Sequence, residues 1–300
     1  MIQTSPLPSN PAERFSADCS AGLPVGGAKG SGFMGVRPVL RVDNISKAFG
    51  GLRALSDFSV DLGERQIVGL IGPNGAGKTT VFNCLTGLTP IDSGSIVLDG
   101  VSIGHLPPHR IGRFGLSRTF QSVRLFRDLT VRENLQIAFH TKCHYGLVDA
   151  IIRSPRFIRQ ERELLRSAEE ILGFLGFVKT LDVKAGSLGY ADQRKLELAR
   201  ALAFAPRVVL LDEPTGGMNE GETLEMMDVF RKMRDEYGIT FMMVEHIMGV
   251  IMSLCDQIVV LDQGHIIAKG DPDHIRTNQR VVDVYLGAEG VPGAEVGSDV

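Results

Sequence analysis

The 300 residues are 43% hydrophobic, with 32 Lys and Arg against 35 Asp and Glu and a formal net charge of −3. That is ample apolar material for a buried core, and the near balance of charge removes any bulk electrostatic case for nucleic-acid binding. Four cysteines, Cys19, Cys84, Cys143 and Cys255, show no paired spacing, which fits a reducing compartment better than a disulfide framework.

Residues 1–37 are rich in Gly, Pro, Ser and Ala without periodicity, the composition of a disordered leader, and no secretory apolar core opens them. Gly26–Gly32 (GGAKGSG) superficially resembles a phosphate loop, but it has no preceding strand and the wrong Gly-Lys spacing. The pattern changes at Pro38. Leu40, Val42 and Ile45 sit among polar residues and Ala54–Leu62 follows, which predicts two strands.

The apolar run Ile67–Ile71 then leads into Gly72-Pro73-Asn74-Gly75-Ala76-Gly77-Lys78-Thr79-Thr80, and a helix is predicted over Lys78–Leu85. This is Gly-x-x-x-x-Gly-Lys-Thr between a buried strand and a helix, the context that makes the match specific. Glycines let the backbone wrap so that successive amides point at phosphates, and the helix N-terminus adds partial positive charge. Lys78 is expected to reach the β- and γ-phosphates and the Thr79 hydroxyl to hold Mg²⁺.

Ile96–Leu98 is a short strand ended by Asp99-Gly100. After about residue 115 helical signals dominate. Thr130–Glu133 (TVRE) is a capping box, and Phe157, Leu164, Ala168, Ile171 and Leu175 mark one face of an amphipathic helix. His140, Cys143 and His144 lie close together, but no second ligand cluster supports a metal and a surface turn is the simpler reading. Strand signals return at Arg207–Leu211, Thr240–Val244 and Gln257–Leu261. A Gln263-Gly264 turn joins the last of these to His265–Lys269, and Asp271-Pro272 opens one final helix. Strands, a helical stretch and strands again predict an α/β core with an inserted helical subdomain. The best candidate for a membrane span, Ile239–Leu261, contains Glu245, His246 and Asp256, so a soluble chain is expected, one that something else must anchor if it works at a membrane.

The run RVVLLDEP supplies the acids a phosphate loop needs. Asp212 closes four apolar residues and would join the Mg²⁺ shell; Glu213 follows and would orient and deprotonate the attacking water. No Asn-Lys-x-Asp guanine selector is present, and a small-molecule kinase would need lid arginines rather than a water base. ATP hydrolysis is the reading these residues support.

From here the sequence resembles the ATP-binding-cassette (ABC) ATPases over residues 38–287, with the motifs in family order. The resemblance implies an antiparallel β subdomain beside the phosphate-loop ATPase core, a helical subdomain at about 116–203 and a flexible tail at 288–300. Phe49, expected just before the first long strand, stands where the family stacks a ring on adenine, and Gln121 in SRTFQ where a glutamine couples Mg²⁺ and water to the membrane partner. DEPTGGMN holds the D-loop, with Asn219 in place of aspartate. His246 matches the switch histidine that contacts the γ-phosphate. Leu188-Gly189-Tyr190-Ala191-Asp192 occupies the place of the LSGGQ signature, and only its leucine matches.

FGGLRAL, SRTFQSVRLFRDLTVREN and the ending VVDVYLG look more narrowly like the ATPase subunits of branched-chain amino acid importers, with urea and amide importers as sister groups. The resemblance implies two ATPase subunits sandwiching ATP and Mg²⁺, two transmembrane permease subunits and, indirectly, a periplasmic or extracellular solute-binding protein. The alternative is a soluble ABC ATPase acting on ribosomes or DNA, but such chains usually carry two cassettes or a long coiled-coil insertion and neither is present here, so no nucleic-acid partner is expected. The resemblance implies a peripheral place on the cytoplasmic face of the membrane. Gly189 lacks the family's serine hydroxyl, so a second subunit that is a paralogue with a better signature is expected.

Overall fold

The computed structural model describes residues 38–119, 124–140, 152 and 154–288. The expected leader, the tail beyond Ala288, Gln121, Cys143 and His144 lie outside them. Two sheets carry the architecture. The first is antiparallel, in the order β2-β1-β4-β5, and uses β1 (Leu40–Phe49), β2 (Leu52–Leu62), β4 (Ser93–Leu98) and β5 (Val101–Ser102). The second has six strands in the order β10-β9-β3-β8-β7-β6: β3 (Ile67–Ile71), β6 (Leu116–Arg118), β7 (Val208–Asp212), β8 (Thr240–Val244), β9 (Gln257–Asp262) and β10 (His265–Gly270). Its strands run parallel except for the β9–β10 hairpin.

Continuous apolar runs are what a strand covered on both faces requires. Along β8, Phe241 and Met243 point into one core while Met242 and Val244 point into the other, and β3 splits the same way, Ile67 and Ile71 against Val68 and Leu70. The second core, under the antiparallel sheet, is closed by α1 (Lys78–Leu85) and α2 (Pro108–Arg113). The first packs under α3 (Val131–His140), α4 (Pro155–Phe174), α5 (Tyr190–Leu202), α6 (Glu220–Tyr237), α7 (Met248–Leu254), α8 (Pro272–Thr277) and α9 (Gln279–Ala288). Met242 and Met243 are fully buried, and Met248 and Met252 pack against the first core, so all four methionines are filling material.

Local chemistry sets the element ends. Thr130 and Glu133 form the expected capping box at α3, with the Thr130 amide donating to Glu133 Oε2 at 2.8 Å and the Glu133 amide to Thr130 Oγ1 at 3.2 Å. Three expectations need correction. Leu116–Arg118, placed by sequence in the helical stretch, is a strand, because its backbone pairs in parallel with Val208–Leu210. Phe49 does not precede the first long strand but ends it, paired with Leu52 across a Gly50-Gly51 turn. The single closing helix is two: Asp271 caps the short α8 by accepting the His274 amide at 2.8 Å, and α9 follows.

Candidate functional site

In an open parallel sheet, ligands meet the crevice beyond the carboxyl ends of the strands. Here Leu70 of β3 pairs with Val244 of β8, and Val244 with Asp212 of β7. The segments leaving those three strands therefore emerge side by side: Gly72–Thr80, Glu213 onward, and Glu245-His246.

The phosphate loop is glycine-built for steric reasons that can be located. A Cβ on Gly72 would sit 2.0 Å from the Leu261 carbonyl oxygen, and one on Gly77, at φ 107°, would sit 2.7 Å from that of Ala54. The Gly264 amide donates to the Ala76 carbonyl at 2.9 Å, so the β9–β10 turn also braces the loop. Gly77 caps α1 without any side-chain hydrogen bond, leaving the first-turn amides directed at the loop's concavity. Lys78 is buried and folds over the loop, donating from Nζ to the carbonyls of Gly72 at 2.6 Å and Pro73 at 3.0 Å. Burial holds its ammonium below the ordinary lysine pKa, and the charges of Glu213 and Asp212 pull the other way. Thr79 is exposed at the mouth, and Asn74 and Gly75 are exposed with it.

Asp212 closes β7 and pairs with an arginine that sequence reasoning overlooked. Arg118 Nη2 lies 2.8 Å from Asp212 Oδ2, and Nη1 donates to Asn83 Oδ1 at 2.7 Å. The guanidinium lies 5.4 Å from the centre of the Phe82 ring. Its side chain is 7% exposed and that of Asp212 is 15%, so the pair is desolvated. The ion pair engages one carboxylate oxygen. The exposed Thr79 hydroxyl and the Asp212 carboxylate are the hard oxygen donors Mg²⁺ takes alongside substrate phosphates, so the donor chemistry fits that ion.

Glu213 adopts a left-handed backbone with φ 48°, unusual outside glycine, where its amide donates to the Val244 carbonyl at 2.9 Å. Such strain, of order 1–3 kcal/mol, persists where the surroundings over-determine it and clusters at functional sites. The conformation aims the side chain at His246, and Nε2 lies 3.0 Å from Glu213 Oε1. The structure thus brings together Lys78, Asp212, Glu213 and His246. Glu245, also overlooked in the sequence, is 3% exposed and accepts from the amides of Thr215 and His246, both at 2.9 Å. A charged residue that closes a buried apolar run was the available signal.

The signature segment behaves differently. Leu188 is extended, Gly189 caps α5, and Tyr190, Ala191 and Asp192 form its first turn. Ala191 has no positive φ, so its Cβ costs the backbone nothing. Tyr190 accepts from Arg194 Nε at 3.1 Å and sits beside Gly217, where a Cβ would lie 3.5 Å from its ring. Among the described residues, no hydrogen bond or ion pair joins Leu188–Asp192 to Gly72–Thr80. Asn219, in the D-loop, caps α6 in a reciprocal box with Glu222, at 2.9 and 3.0 Å. Phe49 is 51% exposed at its hairpin, with Lys47 Nζ 5.5 Å from the ring centre.

Comparison with known proteins matches a family model described as "ABC transporter" to residues 55–216, and one described as "Branched-chain amino acid ATP-binding cassette transporter" to residues 265–291. The chain is 43% identical over 251 residues to the high-affinity branched-chain amino acid transport ATP-binding protein BraF of Pseudomonas aeruginosa, covering 84% of this chain and 98% of that one. It is 41% identical over 251 residues to the corresponding LivG of Escherichia coli, with the same coverage. A crystal structure of an ATP-binding cassette of an ABC transporter, in its ADP conformation, superposes with a TM-score of 0.73 at 29% identity, covering 84% of this chain and 99% of that one.

Proposed function

The chain belongs to the ABC transporter family of ATP-binding subunits and is an ATPase; on that premise we propose that it energises an importer of branched-chain or other hydrophobic amino acids. The observation that carries the cargo class is the match of residues 265–291 to the branched-chain amino acid model, together with the relatives' names. No described helix is long and apolar enough to cross a membrane. By the family it belongs to, the subunit would dock peripherally, on the cytoplasmic face, against two permease subunits, with Gln121 and the helical layer as the contact.

In this reading the amides of Gly72–Thr80 cradle the ATP phosphates and Lys78 leaves its loop carbonyls for the β- and γ-phosphates. Thr79 and Asp212, with Gln121, would hold Mg²⁺, which neutralises phosphate charge when bound. Glu213 takes a proton from the attacking water, and His246, held against Glu213, faces the γ-phosphate. Phe49 supplies a face for the adenine ring. The exposed amides at the start of α5 would serve the ATP held by a second ATPase subunit, and the weak signature favours a paralogue in that place.

Reconstitution tests this. Membranes carrying the chain with its permease pair and a solute-binding protein should take up labelled leucine only with internal ATP, and Lys78→Ala should stop uptake. Uptake competed by urea or amides but not by leucine, isoleucine or valine would overturn the cargo class.

A further inference from the structure

We propose that Glu245 is a positioning residue for hydrolysis, a buried carboxylate that locks the peptide carrying Glu213 to the peptide carrying His246. The inference rests on the reading that Glu213 and His246 act in hydrolysis, and it adds a residue that acts through those two.

Glu245 follows β8 and is 3% exposed. One oxygen, Oε1, accepts both the amide of Thr215, at 2.9 Å, and its hydroxyl. The other, Oε2, accepts the amides of His246 at 2.9 Å and Ile247 at 3.4 Å. Thr215 is fully buried. The carboxylate thus gathers four donors from two segments that are 30 residues apart in sequence. Thr215 stands two positions after Glu213, and His246 one position after Glu245. The 3.0 Å approach of His246 Nε2 to Glu213 Oε1 spans the same two segments. With Glu213 at φ 48°, the first of them sits in a conformation its own residues would not choose, and an external tie is what such a conformation needs.

The tie also reaches beyond the chain's own site. Past Thr215 the backbone runs to Gly217, which sits against Tyr190 in the first turn of α5. Glu245 therefore orients two things at once: the hydrolytic pair, and the turn that abuts the signature. A buried carboxylate suits this because it only accepts, and every group aimed at it donates. A glutamine has one oxygen and one amide NH2: turned toward His246 and Ile247 the NH2 meets two backbone N–H groups, and turned toward Thr215 it meets one, with the hydroxyl made to accept instead of donate.

The test uses the full-length chain and compares Glu245→Gln, Thr215→Val and the double variant. Each is assayed for Mg²⁺-ATP affinity with a fluorescent ATP analogue, for kcat and for melting temperature. Positioning predicts ATP affinity within about twofold of the parent and a kcat loss of roughly tenfold or more in Glu245→Gln, the rate equivalent of one hydrogen bond to a charged group. Thr215→Val, which keeps the side-chain shape and removes the hydroxyl, should lose kcat less. The double variant should be no slower than Glu245→Gln alone, and Thr215→Ser should recover turnover by restoring the hydroxyl. Unchanged kcat in Glu245→Gln and Thr215→Val would overturn the proposal. So would losses of affinity, melting temperature and kcat in step, the mark of a loop anchor only. A Glu213→Gln control that retains full turnover would remove the hydrolytic reading and this proposal with it; an inactive Glu213→Gln beside an active Glu245→Gln removes this proposal alone.

Discussion

Restoring a serine at Gly189 should strengthen ATP-driven pairing of two cassettes. Gly189 caps α5 at φ −59° and ψ 158°, a conformation any residue adopts, and a Cβ there meets no heavy atom within 4 Å. The cap makes no side-chain hydrogen bond at present. A serine hydroxyl can accept a first-turn amide, which adds only a few tenths of a kcal/mol over glycine. The same hydroxyl still has its proton to donate, and a hydrogen bond to a charged phosphate contributes about 1.5–3 kcal/mol. The second term decides the outcome, because it exists only when another subunit presents ATP. Two such contacts form in a symmetric pair, so pairing should tighten by at least roughly a hundredfold while monomer stability scarcely moves. The assay is ATP-dependent dimerisation of Gly189→Ser in a Glu213→Gln background, read by sedimentation against the Glu213→Gln parent. Equal dimerisation of the two, with Gly189→Ser folded, would refute the reasoning, since it would place the α5 N-terminus away from any phosphate.

Glu213→Gln should keep ATP binding but lose most hydrolysis, because an amide takes no proton from water; near-normal phosphate release would end the base assignment. Arg118→Met should lower the melting temperature in chelator, since it leaves the desolvated Asp212 carboxylate unpaired, at a cost of about 3–5 kcal/mol. Mg²⁺-ATP should return part of that loss; an unchanged melting temperature in chelator would show that the pair stabilises nothing. Cys84 and Cys255 should resist a disulfide-exchange reagent at pH 8 in the folded chain. Burial pushes the Cys84 thiol up to about 11 and that of Cys255 higher still, and labelling at either by peptide mapping before unfolding would contradict the burial.

What the sequence determined by itself was whatever is local and contiguous. Gly72–Thr80 can be read because amides, lysine and hydroxyl all come from one turn, and the helix Lys78–Leu85 forms at the expected bounds. Val208–Asp212 can be read because a strand buried on both faces must be apolar throughout, so an acid at its end stands out. The signature raised a question that sequence could not answer, whether Ala191 needs a positive φ; only the start of α5 at Tyr190 decides that it does not. Arg118 and Glu245 were missed for one shared reason. Arg118 meets Asp212 across 94 residues and Glu245 meets Thr215 across 30, and neither spacing has a period to detect. Their partners are chosen by strand order: β6 beside β7 puts the guanidinium at Asp212, and β8 beside β7 puts the Glu245 carboxylate under Thr215. Sheet order comes from packing two cores on opposite faces at once, a property of the whole chain that no single window of residues contains.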